Sequence, residues 1–266
     1  MKNFVERFGP WALVTGASSG LGDAFARRLA AAGMNLVLVA RREDRLRKLA
    51  DELGGRHGVK TRIVPADLSR EDFLPAVAQA TGDLQIGLLV NNAGIGTAGP
   101  FLDGDLDGHL ALLHVNNRAP LVLAHHFGRL MRTRRRGGMI FIASILGLAG
   151  VPDLSDYAAS KAFDLVFAEG LARELARDGI SVLAVCPGAT RTDFWPAGVD
   201  TAALMSPDAV VDVAVRKLGR KTTTVAGWRN RVIALATRFQ PRSWNAAIFG
   251  WVVRRMYRNA SPVPRA

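Results

Sequence analysis

The chain has 266 residues, of which 49% are hydrophobic and 22% charged, so it can bury a sizeable core and its composition excludes a disordered chain. Its one cysteine, Cys186, lies in an apolar run and excludes an internal disulfide framework. Residues 1–10 lack the apolar segment of a signal peptide, and no stretch of about 20 apolar residues occurs, so we expect a cytoplasmic protein without a spanning helix.

The net charge of +12 comes entirely from the end of the chain. Residues 1–212 carry 23 basic and 23 acidic side chains, whereas residues 213–266 carry 12 basic side chains and none that is acidic. This asymmetry predicts a neutral body of catalytic size followed by a basic extension.

The first 40 residues predict a strand, a glycine-rich turn, a helix and a second strand. The apolar runs at 11–15 and 36–40 fit buried strands, and the turn G-A-S-S-G-L-G at 16–22 leads into a helical pattern that ends at Gly33. Glycines let the backbone approach a ligand closely, and the free N–H groups at a helix start favour a diphosphate. The segment therefore indicates a dinucleotide site.

The end of the second strand distinguishes two dinucleotides. NAD requires an acidic residue there for its ribose hydroxyl, whereas this sequence reads V-A-R-R-E-D at 39–44. A guanidinium fits a 2′-phosphate through charge-assisted hydrogen bonds. We therefore predict NADP (NADPH) rather than NAD, with Arg41 at the phosphate; the alternative is that Arg41 and Arg42 are merely solvated.

The rest of the chain continues the alternation of strands and helices. Further strands are predicted at residues 60–65, 86–90, 139–143, 180–186 and 222–226, and helices at 42–53, 69–80, 106–131, 155–177 and 207–218. Alternation of this kind predicts an α/β fold of Rossmann type, doubly wound, with three αβα layers and a seven-stranded parallel sheet.

Two helical segments carry residues that helix stability does not explain. Asn116 lies in the middle of the 106–131 pattern, where asparagine is a poor helix former, and Pro120 predicts a kink. Tyr157 and Lys161 are four residues apart and so share a helix face. An ammonium close to a phenol lowers the phenol pKa toward neutrality, as a general acid or base requires. The alternative is an ordinary helix with an exposed tyrosine and an exposed lysine.

Small and polar residues follow the predicted strand ends, where open α/β sheets bind ligands. The full set resembles the short-chain dehydrogenase/reductase family. It comprises T-G-A-S-S-G-L-G (15–22), A-D-L (66–68), N-N-A-G (91–94), Asn116, Ser144, Y-A-A-S-K (157–161) and P-G-A-T-R-T (187–192). Within the family, the opening R-F-G-P-W and the W-R-N-R ending are similar to the branch of 3-ketoacyl and 17β-hydroxysteroid reductases.

The resemblance implies a role for each matched residue. Tyr157 would be the proton donor, Lys161 would tune it, Ser144 would polarise the substrate carbonyl, and Asn116 would hold a water of a proton relay. Residues implied in cofactor binding are Gly16, Ser18, Ser19, Gly20, Leu21, Arg41, Asp67, Asn91, Ala93, Gly94, Tyr157, Lys161, Pro187, Gly188, Thr190 and Thr192. No metal is implied, since hydride would move directly from the nicotinamide.

The expected function is an NADP(H)-dependent oxidoreductase that reduces a ketone or aldehyde, or oxidises the alcohol, of an apolar, lipid-like substrate. One alternative is a catalytically idle NADP-binding sensor or partner protein on the same fold. A lyase or epimerase is a third class, which usually has a longer C-terminal substrate domain. Neither His125-His126 nor the aspartates at 103, 105 and 107 complete a known metal-ligand set.

The C-terminal part of the chain is expected to cover the substrate-binding side of the site. We predict one NADP-binding catalytic domain over 1–226, including a substrate lid at about 189–218, and a basic amphipathic helical extension over 227–266. Apolar residues of the lid either face an apolar substrate or pack on the core; they are Phe194, Trp195, Pro196, Val199, Leu204 and Met205.

The extension combines tryptophan and arginine at helical spacing, which is typical of segments at an anionic membrane surface. A dimer arm and a flap over the substrate are alternatives, and nucleic-acid binding is the weakest because no reader motif occurs. We also expect a homo-oligomer, either a dimer or a tetramer.

Overall fold

Seven strands form one parallel sheet in the computed structural model, which describes residues 2–194 and 204–257. The strands are β1 Trp11–Thr15, β2 Asn35–Ala40, β3 Thr61–Pro65, β4 Ile86–Asn91, β5 Gly137–Ile142, β6 Ile180–Cys186 and β7 Thr223–Val225. Their spatial order is β3-β2-β1-β4-β5-β6-β7. The order reverses between β1 and β4, and a crevice at that point is where such sheets bind ligands.

Ten helices lie within the described ranges. They are α1 Lys2–Phe8, α2 Gly20–Ala30, α3 Glu43–His57, α4 Phe73–Thr81, α5 Leu106–Leu113, α6 Ala119–Thr133, α7 Ser155–Leu175, α8 Pro207–Lys217, α9 Trp228–Ala236 and α10 Arg242–Tyr257. Helices α2, α3 and α8 cover one face of the sheet, and α4, α6 and α7 cover the other. Short 3₁₀ turns lie at Phe101–Asp103, Ile145–Leu148 and Ala176–Asp178. The predicted three-layer fold is confirmed.

The central strands are apolar on both sides because helices bury both faces of the sheet. In β1, Ala12 and Val14 pack into the core under α2, α3 and α8, whereas Leu13 packs into the core under α4, α6 and α7. All three side chains are fully buried. This explains why the strands appear in the sequence as unbroken apolar runs.

Several predicted boundaries were wrong. Helix α3 does not end at Gly54 but continues to His57, because Gly58 supplies the left-handed C-cap, with φ +65°. Helix α4 begins at Phe73 rather than after Ser69, whose hydroxyl instead donates to Asp67. The helix α1 at the start of the chain was not predicted.

The kink expected at Pro120 stays a prediction, but the helix is irregular directly before the proline. The proline sits in the first turn of α6, where its missing N–H costs nothing. The irregularity lies one turn earlier, where His114–Arg118 form a π-helical turn between α5 and α6. Such turns are frequent at functional sites, and this one contains Asn116.

Helix α10, the last helix of the described ranges, packs onto the body of the fold. One face of α10 buries Phe249 and Val253 against Val151, Leu154 and Ala158, at the start of α7. The other face exposes large apolar side chains, including Trp244 and Trp251. No helix within the described ranges is long and apolar enough to cross a membrane.

Candidate active site

Tyr157 and Ser144 meet at the carboxyl edge of the sheet. Ser144 follows the end of β5 by two residues, and Tyr157 lies in the first turn of α7. The Ser144 hydroxyl lies close enough to the Tyr157 side chain to lower its pKa, and it accepts a hydrogen bond from the Leu146 N–H at 3.1 Å. The predicted pair is therefore in contact, with the serine oriented by its own backbone.

Lys161 is held from two sides in the same pocket. Its Nζ donates to the Ile142 carbonyl at 2.8 Å and to Asp164 Oδ2 at 2.9 Å. It lies 6.0 Å from the centroid of the Tyr157 ring. The Lys161 and Asp164 side chains are only 6% and 4% exposed. Asp164 was missed in the sequence because a lone acid one turn after the lysine matches no motif considered there.

The charges of this pocket differ from the sequence-based expectation. Burial raises the pKa of Tyr157 above its ordinary value, and the opposing effects of Lys161 and the Ser144 hydrogen bond do not outweigh it. Burial lowers the pKa of Lys161, but its interactions with Asp164 and Tyr157 together outweigh this and raise it. The pocket therefore holds a protonated tyrosine beside a charged lysine.

Asn116 is fully buried and joins three segments. Its side chain accepts from the Ile95 N–H at 2.9 Å and donates to the Ile95 carbonyl at 2.9 Å and to Ser160 Oγ at 3.0 Å. A β-carbon on Gly94 would lie 3.4 Å from Asn116 Oδ1 and 3.6 Å from Lys161 Nζ. The π-helical turn therefore brings Asn116 to the same point as Lys161.

The glycine turn is built for close backbone approach. Gly16 and Gly20 have φ of +66° and +58°, in the left-handed region that favours glycine. A β-carbon on Gly22 would collide with the Gly16 carbonyl, so the third glycine lets α2 pack directly on the turn. The N-cap Ser19 makes no side-chain cap to α2. The first N–H groups of that helix therefore remain available for an anion.

An arginine lies over this turn, although it is not the residue we predicted. Arg42 donates to Ser18 Oγ at 2.9 Å and to Ser19 Oγ at 2.8 Å. Arg41 acts instead on Asp67. Burial raises the pKa of Asp67, but hydrogen bonds from Ser69 and the charge of Arg41 outweigh it and hold that pKa below its usual range.

The segment after β4 is locked to the end of β1. Thr15 Oγ1 accepts from the N–H groups of Asn92 and Ala93 at 2.9 Å and 3.0 Å, and a β-carbon on Gly16 would lie 2.9 Å from Ala93 Cα. The neighbouring Asn91 amide is buried with no hydrogen-bond partner in the described ranges. Asn92, which sequence reasoning did not select, is the residue that fixes this wall.

The residues after β6 close the opposite wall. The Pro187 carbonyl accepts from Ile145, and Gly188 leaves room for the Asn230 side chain of α9. Thr190 pairs with Met205 in a short bridge. A β-carbon on Gly20 would lie 3.1 Å from Thr192, which places that threonine over the glycine turn. Leu21, in contrast, packs partly into the core.

The open side of the pocket is aromatic. The Phe194 ring lies 5.3 Å from the Tyr157 ring, centroid to centroid. Tyr257, at the end of α10, is close enough that burial, together with Tyr157, raises its pKa to about 12. The lid residues Trp195, Pro196 and Val199 lie outside the described residues.

Asp156, next to Tyr157, anchors the mouth of the pocket. It accepts from Thr97 Oγ1 at 2.7 Å, from its neighbour's backbone N–H at 2.8 Å, and contacts His109 Nδ1 at 2.6 Å. The Asp156 hydrogen bond raises the pKa of His109. His109 is therefore part of an anchor between α5 and α7. No group of metal-ligating side chains occurs among the residues that the structure describes.

These residues fit a nicotinamide dinucleotide phosphate. The positive-φ glycines and the uncapped start of α2 suit a diphosphate, and the Arg42 guanidinium beside two serines suits a further phosphate. The buried Asn91 amide at the end of β4 has polar atoms left to satisfy.

Comparisons with known proteins agree with this geometry. A family model described as short chain dehydrogenase matches residues 10–202. The chain is 35% identical to 7beta-hydroxysteroid dehydrogenase of Collinsella aerofaciens, over 86% of this chain and 90% of the relative. It is also 30% identical to the human inactive hydroxysteroid dehydrogenase-like protein 1, over 95% of this chain and 80% of the relative.

Among solved structures, the fold matches a short-chain dehydrogenase from Sphingobium yanoikuyae in complex with NADPH, with a TM-score of 0.78 and 34% identity. The match covers 97% of this chain and 99% of that one. The likeness therefore extends through nearly the whole fold, including the part beyond residue 202 that the family model does not reach.

Proposed function

This chain belongs to the short-chain dehydrogenase/reductase family, and from that premise we propose that it is an NADP(H)-dependent oxidoreductase. It reduces a ketone or aldehyde, or oxidises the corresponding alcohol, of an apolar, lipid-like substrate. The observation that carries the proposal is the contact between Ser144 and Tyr157 beside the buried Lys161. Hydride is supplied by the nicotinamide when it is bound.

The chain's own residues handle the proton. Tyr157 is protonated at neutral pH, since a phenol has an ordinary pKa of about 10 and burial raises that of Tyr157 further, so it carries a phenolic proton to donate to a carbonyl oxygen. Ser144 hydrogen-bonds to the same oxygen and stabilises the charge that develops on it. Lys161 retains one N–H beyond the two engaged by Ile142 and Asp164, which is free for a ribose hydroxyl. Asn116 fixes the loop that faces it and, as the family resemblance implies, supports a relay water.

The preference for NADP rests on the positive charge at the end of β2. Arg42 contacts the serines of the glycine turn, and the charge of Arg41 acts on Asp67, so two guanidinium groups at the end of β2 would be available to a ribose 2′-phosphate. No acidic residue precedes them on β2 to bind a ribose hydroxyl instead. The NADPH complex of a 34% identical short-chain dehydrogenase supports this choice.

An apolar substrate is supported by the walls of the pocket. Phe194 lies against the Tyr157 ring, and α10 brings Phe249 and Tyr257 to the same side. The helix therefore acts as a flap over the substrate. The similarity to a 7beta-hydroxysteroid dehydrogenase points to bulky, largely apolar ketones such as steroids.

The test is NADPH consumption with a panel of steroid, long-chain and small polar ketones, measured for the wild type and for Tyr157→Phe. We expect turnover with the bulky apolar ketones and a loss of about a hundredfold to ten-thousandfold in Tyr157→Phe. NADPH binding should be retained, since the variant removes only a hydroxyl. Unchanged turnover in Tyr157→Phe would remove the proposed acid.

A catalytically idle NADP-binding protein is the second candidate, favoured by the similarity to a relative named inactive. The intact set of Asn116, Ser144, Tyr157 and Lys161 weighs against it. Tight NADPH binding without turnover on every ketone of the panel would select this candidate.

We propose that residues 1–226 form the catalytic domain and residues 227–266 an extension whose outer surface contacts an anionic membrane. The described part of the extension exposes Trp228, Phe239 and Trp251. Basic side chains line a cleft between α8, β7 and α9, namely Lys217, Lys221, Arg231 and Arg238. Exposed tryptophan together with basic residues suits lipid headgroups; Arg258, a further basic residue of the extension, lies outside the described residues.

Vesicle co-sedimentation tests the membrane contact. Arg231→Gln with Arg238→Gln, both in the extension, should weaken binding to phosphatidylserine vesicles by about fivefold per charge removed. The matched control, Lys48→Gln with Arg56→Gln, removes two exposed charges from α3 and should leave binding unchanged. Equal recovery of both variants and the wild type with vesicles would refute the surface.

A further inference from the structure

The proposed reaction leaves one buried charge at the active site without a role. Asp164 is 2% exposed and lies three residues after Lys161 on α7. Its Oδ2 accepts from Lys161 Nζ at 2.9 Å, whereas Oδ1 has no hydrogen-bond partner within the described ranges. Burying a half-satisfied carboxylate costs free energy, so its presence beside the active-site lysine calls for an explanation.

The geometry shows how Asp164 acts on Lys161. The ammonium is held between the Ile142 carbonyl and the Asp164 carboxylate, so its position is fixed before any ligand binds. A carboxylate in direct contact also offsets much of the positive charge that more distant groups experience. Tyr157 is such a group, since its ring centroid lies 6.0 Å from Nζ.

We propose that Asp164 is a positioning residue for the proton transfer: it fixes Lys161 and offsets part of its charge, so that Tyr157 keeps its proton to higher pH. As a result, alcohol oxidation, which needs the deprotonated tyrosine as a base, requires more alkaline conditions. This inference rests on the proposed role of Tyr157 as the proton donor.

The other groups around the pair do not substitute for this effect. Cys186, at the end of β6, has its pKa raised to about 12 by burial and is a neutral thiol. Glu169, further along α7, is engaged by Thr223 of β7 at 2.8 Å. Ser144 is uncharged, and Tyr257 of α10 has its pKa raised to about 12 and is neutral as well. Asp164 is thus the only carboxylate in contact with Lys161 among the described residues.

The chain offers a direct readout, because it contains only two tyrosines. Isotope-labelled tyrosine gives two NMR ring signals, and Tyr257→Phe assigns the remaining one to Tyr157. The titration is done on the cofactor-free protein and needs no turnover. Asp164→Asn removes the charge, while its amide oxygen can still accept a hydrogen bond from Lys161. The variant therefore separates the effect of the charge from the effect of holding Lys161 in place.

We expect Tyr157 to lose its proton at lower pH in Asp164→Asn than in the wild type. The rate of alcohol oxidation on the acidic side of the wild-type transition should rise, by about tenfold for each unit by which the pKa falls. Glu174→Gln, which removes an exposed carboxylate from the same helix, is the matched control and should titrate as the wild type does.

The proposal is overturned if Tyr157 in Asp164→Asn loses its proton at the same pH as in the wild type, or at a higher pH. It is also overturned if Tyr157 stays protonated up to the highest accessible pH in both proteins. If Asp164→Asn does not fold, Lys161→Met with Asp164→Leu replaces the pair by apolar side chains, which buried pairs often tolerate. Tyr157 should then titrate near its wild-type pH. A large rise in the pKa of Tyr157 would show that Asp164 does not offset the charge of Lys161 in the wild type. That result also overturns the proposal. Absence of turnover on all ketones would refute the proposed function while leaving this titration readable.

Discussion

Single side chains decide which dinucleotide the glycine turn can hold. Arg42 contacts both Ser18 and Ser19, whereas Arg41 acts on Asp67 across the same edge of the sheet. The sequence places both arginines at the end of β2 but does not show which one turns back toward the phosphates. Only the backbone direction at the start of α3 resolves this.

Arg42→Ala should therefore raise the Michaelis constant for NADPH by about tenfold to a hundredfold, the loss of charged hydrogen bonds to one phosphate. The constant for NADH should hardly change. Arg41→Ala should have the smaller effect of the two. Steady-state kinetics with both cofactors measure this, and a larger effect at Arg41 would return the assignment to the residue predicted from the sequence.

A second prediction at this scale concerns the anchor formed by His109 and Asp156. The Asp156 hydrogen bond raises the pKa of His109 above its unfolded value of about 6.5. A group whose pKa is raised on folding stabilises the protein fully below the unfolded pKa, and this contribution is lost as the pH rises through the folded pKa. The wild type should accordingly lose more thermal stability across that range than His109→Gln. Parallel Tm profiles of the two proteins would contradict the prediction.

At the scale of elements, the glycine turn and α2 depend on contacts that leave no room for a side chain. Gly22→Ala would place a methyl group against the Gly16 carbonyl. We expect it to cost about 1–3 kcal/mol of unfolding free energy and to weaken NADPH binding. Gly55→Ala is the control: it also lies in a helix, α3, but with open space around it, and should stabilise the protein by about 0.5–1 kcal/mol. Chemical denaturation and cofactor titration measure both effects; equal stability of the two variants would argue against close packing at Gly22.

The elements also show how far the sequence predicts this protein. The strands and the ends that carry Ser144 and Asn91 could be predicted, because apolar runs and small polar residues are local signals. The π-helical turn around Asn116 could not, since it depends on Ile95 and Ser160, which are distant in sequence. The same holds for the pKa of Tyr157, which follows from burial.

At the scale of the whole molecule, we expect a homo-oligomer formed through α5 and α7. These helices pack side by side and leave apolar side chains exposed on a shared outer surface, notably Leu110, Leu113, Phe163 and Val166. An exposed apolar surface of this kind suits a second copy of the chain as its partner.

Light scattering after size exclusion tests this. Val166→Glu should reduce the molecular mass toward that of one chain, while leaving vesicle binding unchanged. Trp251→Ser, on the outer face of α10, should weaken vesicle binding while leaving the molecular mass unchanged. A wild-type mass equal to one chain would exclude the oligomer.

The short distance in sequence between β5 and Ser144 limits where the chain can accept an insertion. Ser144 follows the last residue of β5 by only two positions, and each residue of extended chain spans about 3.3 Å. One inserted residue there would carry the serine out of reach of Tyr157. An insertion before a strand, for example between Gly82 and Ile86, changes only the opposite end of the sheet. Loop lengths are therefore constrained at the carboxyl end of the sheet, whereas loops at the opposite end can change in length without moving the active-site residues.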